Sequence, residues 1–208
     1  MISLRIRIWF IPAVLSLACN NEAEPVVQNP PKRDTNIIIN ELANPYAPVD
    51  KSPMDMSYFP PEYPVLKMSN KTTGLPVARI IYSRPVKSGR KIFGNLLKYG
   101  QPWRLGANEA SEIELFRDVT IQNRKVAAGR YIIYCIPEEN NWTIILNSHL
   151  FSWGLTPDAS KDVDRFIIPV EKTNAPIEYF TMTFEKTPQG AALIMAWDDI
   201  VAKLPFQF

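Results

Sequence analysis

About half of the chain after residue 76 consists of short apolar or alternating runs bounded by Pro, Gly, Asn or Asp. Period-two alternation over a few residues is typical of β-strands. The runs comprise residues 77–83, 112–117, 119–127, 130–136, 141–147, 165–170, 178–185, 191–197 and 201–208. Since no long helix-period segment separates them, the pattern predicts an all-β fold with little helix. We expect an antiparallel β-sandwich, with jelly-roll-like or barrel-like arrangements as alternatives.

Composition agrees with a single β-rich domain. The chain has 208 residues and 46% of them are hydrophobic, so one core of ordinary size is available. Glycine is scarce at 8 residues while proline reaches 19. Together with frequent aromatic and β-branched residues, this balance favours strands and rigid connections over helices. We expect the domain to occupy residues 52–208.

The first 18 residues have the layout of a secretory signal peptide. Arg5 and Arg7 precede an apolar stretch that is too short for a permanent membrane span, and Ala18 precedes Cys19. A small residue before a cysteine resembles the cleavage box of bacterial lipoproteins, although Ser16 stands where a large aliphatic residue is usual. The sequence predicts a signal peptide at residues 1–18 and lipidation of Cys19. An ordinary signal peptide with an incidental cysteine is the alternative.

Residues 20–64 hold nine prolines with polar residues between them, which favours extended backbone over a packed core. We therefore expect a lipidated, proline-rich stalk at residues 19–51. From about Ser52 onward, apolar residues provide enough surface to dock on the folded domain. The predicted protein is lipid-anchored in the cell envelope, at the outer membrane, facing the periplasm or the cell surface. Its partner there is the lipid bilayer, through acylated Cys19.

The charge balance argues against nucleic-acid binding. The chain has 23 basic and 21 acidic residues. Both charges in the first 18 residues are arginines, so the remainder has 23 − 2 = 21 basic residues and is neutral. Because a neutral surface exerts no long-range attraction on a phosphate backbone, we expect no nucleic-acid partner.

Few side chains are available for disulfide, metal or cofactor chemistry. Besides Cys19 the only cysteine is Cys135, which lies in an apolar run and is expected to be a buried core residue. His149 is the only histidine, and the chain has no Walker-type loop, dinucleotide fingerprint or nucleophile elbow. We expect no metal and no cofactor.

The region between residues 83 and 110 is the richest in residues that recognise ligands. Arginine offers a planar fork of donors that matches carboxylate, phosphate or sulfate oxygens. The candidate ligand-binding residues are Arg84, Arg90, Trp103, Arg104, Asn108 and Glu109. In this prediction the arginines bind an anionic group of a small molecule or glycan, and Trp103 forms an apolar wall. Asn108 orients the ligand, and Glu109 holds Arg104 in place.

A structural role for the same cluster is the alternative. In that role Arg84 or Arg104 forms an ion pair that closes a long connection with little apolar surface. The acceptor would be Glu109 or Asp118.

Three tryptophans are assigned from their surroundings in the sequence. Trp142 and Trp197 stand in strand patterns and are expected in the core. Trp153 lies in a loop-like stretch, so exposure near a binding surface is expected there.

Residues 52–208 contain a set of short sequence elements, and the main ones lie in the arginine-rich region. The main ones are Gly89-Arg90, Ile92-Phe93-Gly94 and the run Trp-Arg-Leu-Gly-Ala-Asn-Glu-Ala at residues 103–110. The others lie at residues 52–58, 128–131, 136–137, 142–143, 147, 153–154 and 196–197. Together they resemble the bacterial family called domain of unknown function 2911. The resemblance implies an exported, often lipidated protein with a mostly β fold, and it supplies no activity and no catalytic residues. Lys98 departs from the family pattern, in which a proline usually precedes the Tyr-Gly pair.

Non-catalytic ligand binding is the function that we predict first, and two others stay as alternatives. An envelope hydrolase would need two neighbouring carboxylates in an open cleft. The residues that could supply them are Asp55, Glu109, Asp118 and Asp162. A structural lipoprotein that docks a partner would need a contiguous exposed apolar patch and no cleft above the arginines.

Overall fold

The computed structural model describes residues 50–208. The predicted signal peptide, Cys19 and all but the last two residues of the predicted stalk lie outside the described residues. Within the described range, no helix is both long enough and apolar enough to cross a membrane.

Strands make up most of the described chain, and its two helices are short. The strands are β1 (Met54–Phe59), β2 (Ala78–Ser83), β3 (Glu112–Leu115), β4 (Val119–Ile121), β5 (Arg124–Val126), β6 (Gly129–Pro137), β7 (Asn141–Asn147), β8 (Asp162–Thr187) and β9 (Gly190–Gln207). The helices are α1 (Tyr63–Met68) and a 3₁₀ helix (Ala159–Lys161).

The strands form one antiparallel sheet in the order β1-β2-β3-β6-β7-β8-β9-β4-β5. β8 joins two halves of this sheet, because its first part pairs with β7 and its second part pairs with β9. The halves face each other across the core. Phe59 of β1 contacts Phe184 of β8 with ring centroids 6.2 Å apart, and Tyr82 of β2 contacts Phe180 of β8 at 5.7 Å. The predicted all-β class with little helix is confirmed.

Two pairs of predicted strands are each one long strand. Residues 165–170 and 178–185 lie in β8, and residues 191–197 and most of 201–208 lie in β9. The turn-forming residues between them do not end the strands. In β8 they lie where the pairing with β9 shifts register, between Lys172 and Thr181. On the opposite strand β9, Asp198 pairs with Ile177, and the φ of Asp198 is 52°. The prediction of separate strands is wrong here, since Pro, Asn and Asp occur in bulges as well as in turns.

β1 is an edge strand that the sequence pattern did not identify as a strand. It pairs with β2 from Met54 opposite Ser83 to Phe59 opposite Ala78. Phe59 is buried, whereas Met54 and Met56 are exposed, so the apolar side chains do not all lie on one face. The expected docking of this segment takes the form of strand pairing.

The core between the two halves of the sheet contains a group of five aromatic rings. Its members are Phe93, Trp103, Trp142, Phe180 and Trp197. Trp103 contacts each of the other four, with ring centroids between 4.8 and 6.2 Å apart. Aromatic pairs of this kind add about 0.5–1.5 kcal/mol each to the stabilisation from area burial. Trp142 and Trp197 are core residues as predicted, and so is Cys135.

We expect Trp142→Ala to lower the free energy of unfolding by about 3–5 kcal/mol, because it removes a fully buried indole and leaves a cavity. Ile167→Thr on the neighbouring strand β8 is the matched control, since Ile167 is 64% exposed. The control should change the free energy by less than about 0.5 kcal/mol. Denaturant unfolding measures both, and equal losses would contradict the proposed core.

Candidate functional site

Residues 84–111 connect β2 to β3 and complete the edge of β6. β3 covers only the first part of that edge, because Glu112–Leu115 pair with residues 129–132. The connecting segment occupies the rest. Trp103 and Cys135 exchange backbone hydrogen bonds of 2.7 and 2.9 Å, and the Gly100 amide donates to the Pro137 carbonyl at 3.0 Å. These bonds hold the segment above the core.

A cleft of about 400 Å³ opens beside this segment. Its apolar lining includes Pro85, Leu96, Leu97, Pro102, Leu155 and Trp197. Three of the six predicted ligand-binding residues also line it, namely Arg90, Trp103 and Arg104. The other three predicted residues, Arg84, Asn108 and Glu109, lie outside its lining.

Arg84 joins β1 to β8 and has a structural role. Its Nη1 lies 3.2 Å from Asp55 Oδ2. Its Nε donates to the Phe180 carbonyl at 3.3 Å, and its Nη2 donates to Thr181 Oγ1 at 3.2 Å. The structural alternative therefore describes Arg84, although its partner is Asp55 and neither of the two carboxylates expected from the sequence.

Arg104 lies at the cleft with one direct hydrogen bond from its guanidinium. Its Nη1 donates to the Trp153 carbonyl at 3.2 Å. Burial lowers the pKa of Arg104, while the negative charge of Glu109 acts in the opposite direction. No ion pair among residues 50–208 involves Arg104, so the predicted fixation by Glu109 is not formed at contact distance. Glu109 itself is exposed.

Arg90 is the second cationic residue in the cleft lining. Its Nε donates to the Lys87 carbonyl at 2.9 Å, and its Nη2 donates to the Val86 carbonyl. These bonds orient the guanidinium without neutralising it. Within the described part of the chain, Arg90 also has no ion-pair partner.

Trp103 lines the cleft as part of its floor. The residue is only 6% exposed, and its Nε1 donates to the Gly106 carbonyl at 3.2 Å. The ring therefore lies at the cleft without offering a free face. Stacking of a sugar ring on it would need such a face.

Asn108 attaches the start of the described chain to this end of the domain. Its Nδ2 donates to Asp50 Oδ2 at 3.2 Å and to the Ser52 carbonyl at 3.3 Å. Ser52 also lines the cleft. The amide donors of Asn108 are thus engaged within the protein, and Asn108 positions residues 50–52 at the cleft.

The loop at residues 148–161, between β7 and β8, also contributes to the cleft, and sequence reasoning did not include it in the site. Buried Asn147 closes its base, because its Nδ2 donates to the Asp158 carbonyl and to Asp162 Oδ1, both at 2.8 Å. The Ser148 amide donates to the Lys161 carbonyl at 2.9 Å. This closed base holds the loop in one arrangement.

Gly154 sets how closely this loop approaches the connecting segment at residues 84–111, which we call the arginine segment. Its φ is 78°, and a Cβ atom there would lie 2.8 Å from Ala110 Cβ and 3.0 Å from Arg104 Cβ. Only glycine permits both the backbone conformation and the contact. Trp153 is exposed as predicted. The Trp153-Gly154 pair is the sequence signal that could have pointed to the loop.

The polar side chains that line the cleft are mainly hydrogen-bond donors. Apart from the two tryptophans, the lining residues with polar side chains are Ser52, Arg90 and Arg104. Two of these three are cations that accept nothing. Such a lining matches the oxygens of an anion and apolar groups attached to it.

The four candidate carboxylates do not meet in the cleft. Asp55 pairs with Arg84, and Asp118 pairs with a lysine at 2.8 Å. Asp162 pairs with an arginine at 2.6 Å and accepts a hydrogen bond from a tyrosine hydroxyl at 2.9 Å. Glu109 is exposed outside the lining. Among residues 50–208 no group of three or more His, Cys, Asp or Glu side chains could hold a metal ion.

Ionisation of Tyr82, which lies beside Arg84, should lower the free energy of unfolding at alkaline pH. Its hydroxyl donates to Asp55 Oδ2 at 3.2 Å, and burial, with a contribution from the Asp55 charge, raises the pKa of Tyr82 to about 12. An unfolded tyrosine has a pKa of about 10. The neutral phenol is therefore favoured in the folded state. Its contribution to stability is complete below about pH 10 and is lost as the pH rises towards 12.

Denaturant unfolding at pH 8, 10 and 11 measures this dependence. The free energy of unfolding should fall more steeply with pH in the unmodified chain than in Tyr82→Phe, which has no ionisable hydroxyl at this position. Identical slopes would show that Tyr82 does not have the raised pKa.

Comparison with known proteins places the chain in a family. A family model described as Protein of unknown function (DUF2911) matches residues 64–206. No curated protein and no solved structure matches the chain. The matched range includes the arginine segment and the loop after β7, and it begins after the resembling element at residues 52–58. Because the model covers more than half of the sequence, the chain belongs to the DUF2911 family.

Proposed function

We propose that the protein is a lipid-anchored component of the cell envelope that binds a small amphipathic anion in the cleft without catalysing a reaction. The observation that carries this proposal is the position of Arg90 and Arg104. Both line an otherwise largely apolar cleft, and neither has an ion-pair partner among residues 50–208.

The electrostatic situation of Arg104 supports binding of an anion. Burial disfavours its charged form, as the lowered pKa of Arg104 indicates. An anion in the cleft would compensate this charge with charge-assisted hydrogen bonds, which are stronger than those between neutral groups. The apolar lining beside the arginines would hold a hydrocarbon or aromatic part of the same ligand.

A neutral glycan fits the cleft less well than an anionic small molecule. Sugar hydroxyls donate as well as accept hydrogen bonds, so side-chain acceptors favour glycan binding. Among the described residues the cleft lining has no Asp, Glu, Asn or Gln side chain. The buried floor provided by Trp103 also offers no stacking surface. The volume of about 400 Å³ is in the range of small-molecule sites.

We expect octanoate or phenyl phosphate to raise the melting temperature of the protein, whereas octanamide and glucose should not. At a ligand concentration of 100 times Kd, the stabilisation by mass action is about 2.7 kcal/mol. For a domain of this size that amounts to a shift of about 5–10 °C. Differential scanning calorimetry over a concentration series measures the shift and its dependence on the anionic group.

Arginine variants separate binding from structural roles in the same assay. At the same ligand concentration, Arg104→Ala should reduce the stabilisation from about 2.7 to about 0.4–1.4 kcal/mol, because loss of a charge-assisted hydrogen bond lowers affinity about 10- to 100-fold. Arg84→Ala should melt earlier than the unmodified protein and still show the full shift. Arg117→Ala is the charge-matched control, since Arg117 lies over the Phe208 ring and does not line the cleft. An unchanged shift in Arg104→Ala would overturn the proposed site.

The lipid anchor is tested at Cys19. Cells that express the full-length chain and receive an alkyne-tagged fatty acid should incorporate the tag into this protein. Cys19→Ser should abolish the labelling, and Cys135→Ser should retain it because Cys135 is buried in the core. Secretion of the Cys19→Ser chain without any difference in lipid labelling would support the alternative of an ordinary signal peptide.

A further inference from the structure

The loop at residues 148–161 exposes three large apolar side chains close together in the sequence. Phe151, Trp153 and Leu155 are 83%, 56% and 66% exposed. Large apolar groups that stay exposed cost free energy in water, and clusters of them mark interaction surfaces. We call these three residues the apolar tip.

The loop that carries the apolar tip has a strained backbone conformation at Phe151. Phe151 has a φ of 61°, in the left-handed region that bulky residues rarely adopt. The closed base at Asn147 and the close contact of Gly154 with Ala110 hold this conformation. The Arg130 guanidinium lies 5.7 Å from the centroid of the Phe151 ring, and the ring is otherwise largely exposed.

The apolar tip lies at the end of the domain where the described chain begins. Asp50 accepts a hydrogen bond from Asn108, and Ser52 lines the cleft together with Gly154 and Leu155. The Arg104 side chain connects the two parts, since it lines the same cleft and donates to the Trp153 carbonyl. The residues before Asp50, which include the candidate lipidation site Cys19, thus join the domain beside the apolar tip.

Three other exposed apolar residues lie beyond the opposite end of β1. β1 runs away from Ser52 and ends at Phe59, and Val65, Met68 and Leu75 follow this far end. The Val77 amide donates to the Phe59 carbonyl at 2.8 Å, which keeps this segment there. These residues provide a matched comparison for the apolar tip.

We propose that the apolar tip inserts into the interface of the lipid bilayer, so that the cleft lies next to the membrane surface. Phenylalanine, tryptophan and leucine favour the boundary between headgroups and acyl chains. An anchor on the same protein holds the domain at the bilayer surface, and an additional apolar contact adds to that attachment. The proposal goes beyond ligand binding in the cleft and uses the predicted anchor only to select the bilayer as the partner.

The experiment attaches the chain to vesicles through Cys19, whether or not the cell lipidates it. The chain from Cys19 to Phe208 is coupled to a maleimide lipid in phosphatidylcholine and phosphatidylglycerol vesicles whose acyl chains carry bromine. Because Cys135 is buried, the coupling is selective for Cys19. Trp103, Trp142 and Trp197 are buried, so Trp153 is the tryptophan of residues 50–208 that the bromine can quench.

The expected result is quenching of tryptophan emission and a blue shift, both absent in Trp153→Phe. The double variant Phe151→Ser and Leu155→Ser should lower the inserted fraction about tenfold or more, because each buried apolar side chain contributes about one factor of ten. The matched double variant Met68→Ser and Leu75→Ser should leave the quenching unchanged. Thermal unfolding confirms that each variant is folded.

Two outcomes would overturn the proposal. One is the absence of Trp153 quenching in the coupled, folded chain, which would leave a protein partner as the occupant of the apolar tip. The other is an equal loss in both double variants, which would indicate non-specific adsorption. Neither outcome bears on the cleft, because anion binding is measured in solution. Phe151 does not line the cleft, so the single variant Phe151→Ser should leave anion binding unchanged.

Discussion

The packing of Trp103 links the candidate site to the fold. Its ring contacts four other aromatic rings, contributed by β7, β8, β9 and the arginine segment itself. Its backbone meanwhile pairs with Cys135 on the part of the β6 edge that β3 leaves uncovered. Because these contacts hold a long connection without a strand of its own, the neighbouring Arg104 has a defined position above the core.

The three arginines of this connection differ in what surrounds them. Arg84 is bonded to both β1 and β8 and is paired with Asp55, so its charge is used within the protein. Arg90 and Arg104 donate only to backbone carbonyls. A carbonyl orients a guanidinium without neutralising it, and this difference separates a structural arginine from one that is available to a ligand.

One end of the domain brings together the cleft, the beginning of the described chain and the apolar tip. Asn108 joins the cleft segment to the beginning of the described chain, through hydrogen bonds to Asp50 and Ser52. Gly154 joins the cleft to the apolar tip, since the absence of a side chain there allows the loop to contact Ala110 and Arg104. Residues distant in the chain therefore form one continuous end of the domain, and the anionic ligand that we propose for the cleft would be bound near the bilayer.

Periodicity and composition by themselves determined the all-β class, the scarcity of helix and the burial of Trp142, Trp197 and Cys135. These properties depend on local alternation and on the hydrophobic content, which the sequence states directly. The sequence elements also identified the family, whose model matches residues 64–206.

Only the tertiary structure decided the lengths of β8 and β9, the partner of Arg84 and the lining of the cleft. Turn-forming residues are compatible with bulges, so their effect depends on the strand that lies opposite. The pairing of Arg84 with Asp55 and the approach of Gly154 to Ala110 join residues far apart in sequence. The sequence alone lists the residue types that could meet, whereas the fold determines which of them do, because ion pairs and cavities depend on distances of a few ångströms.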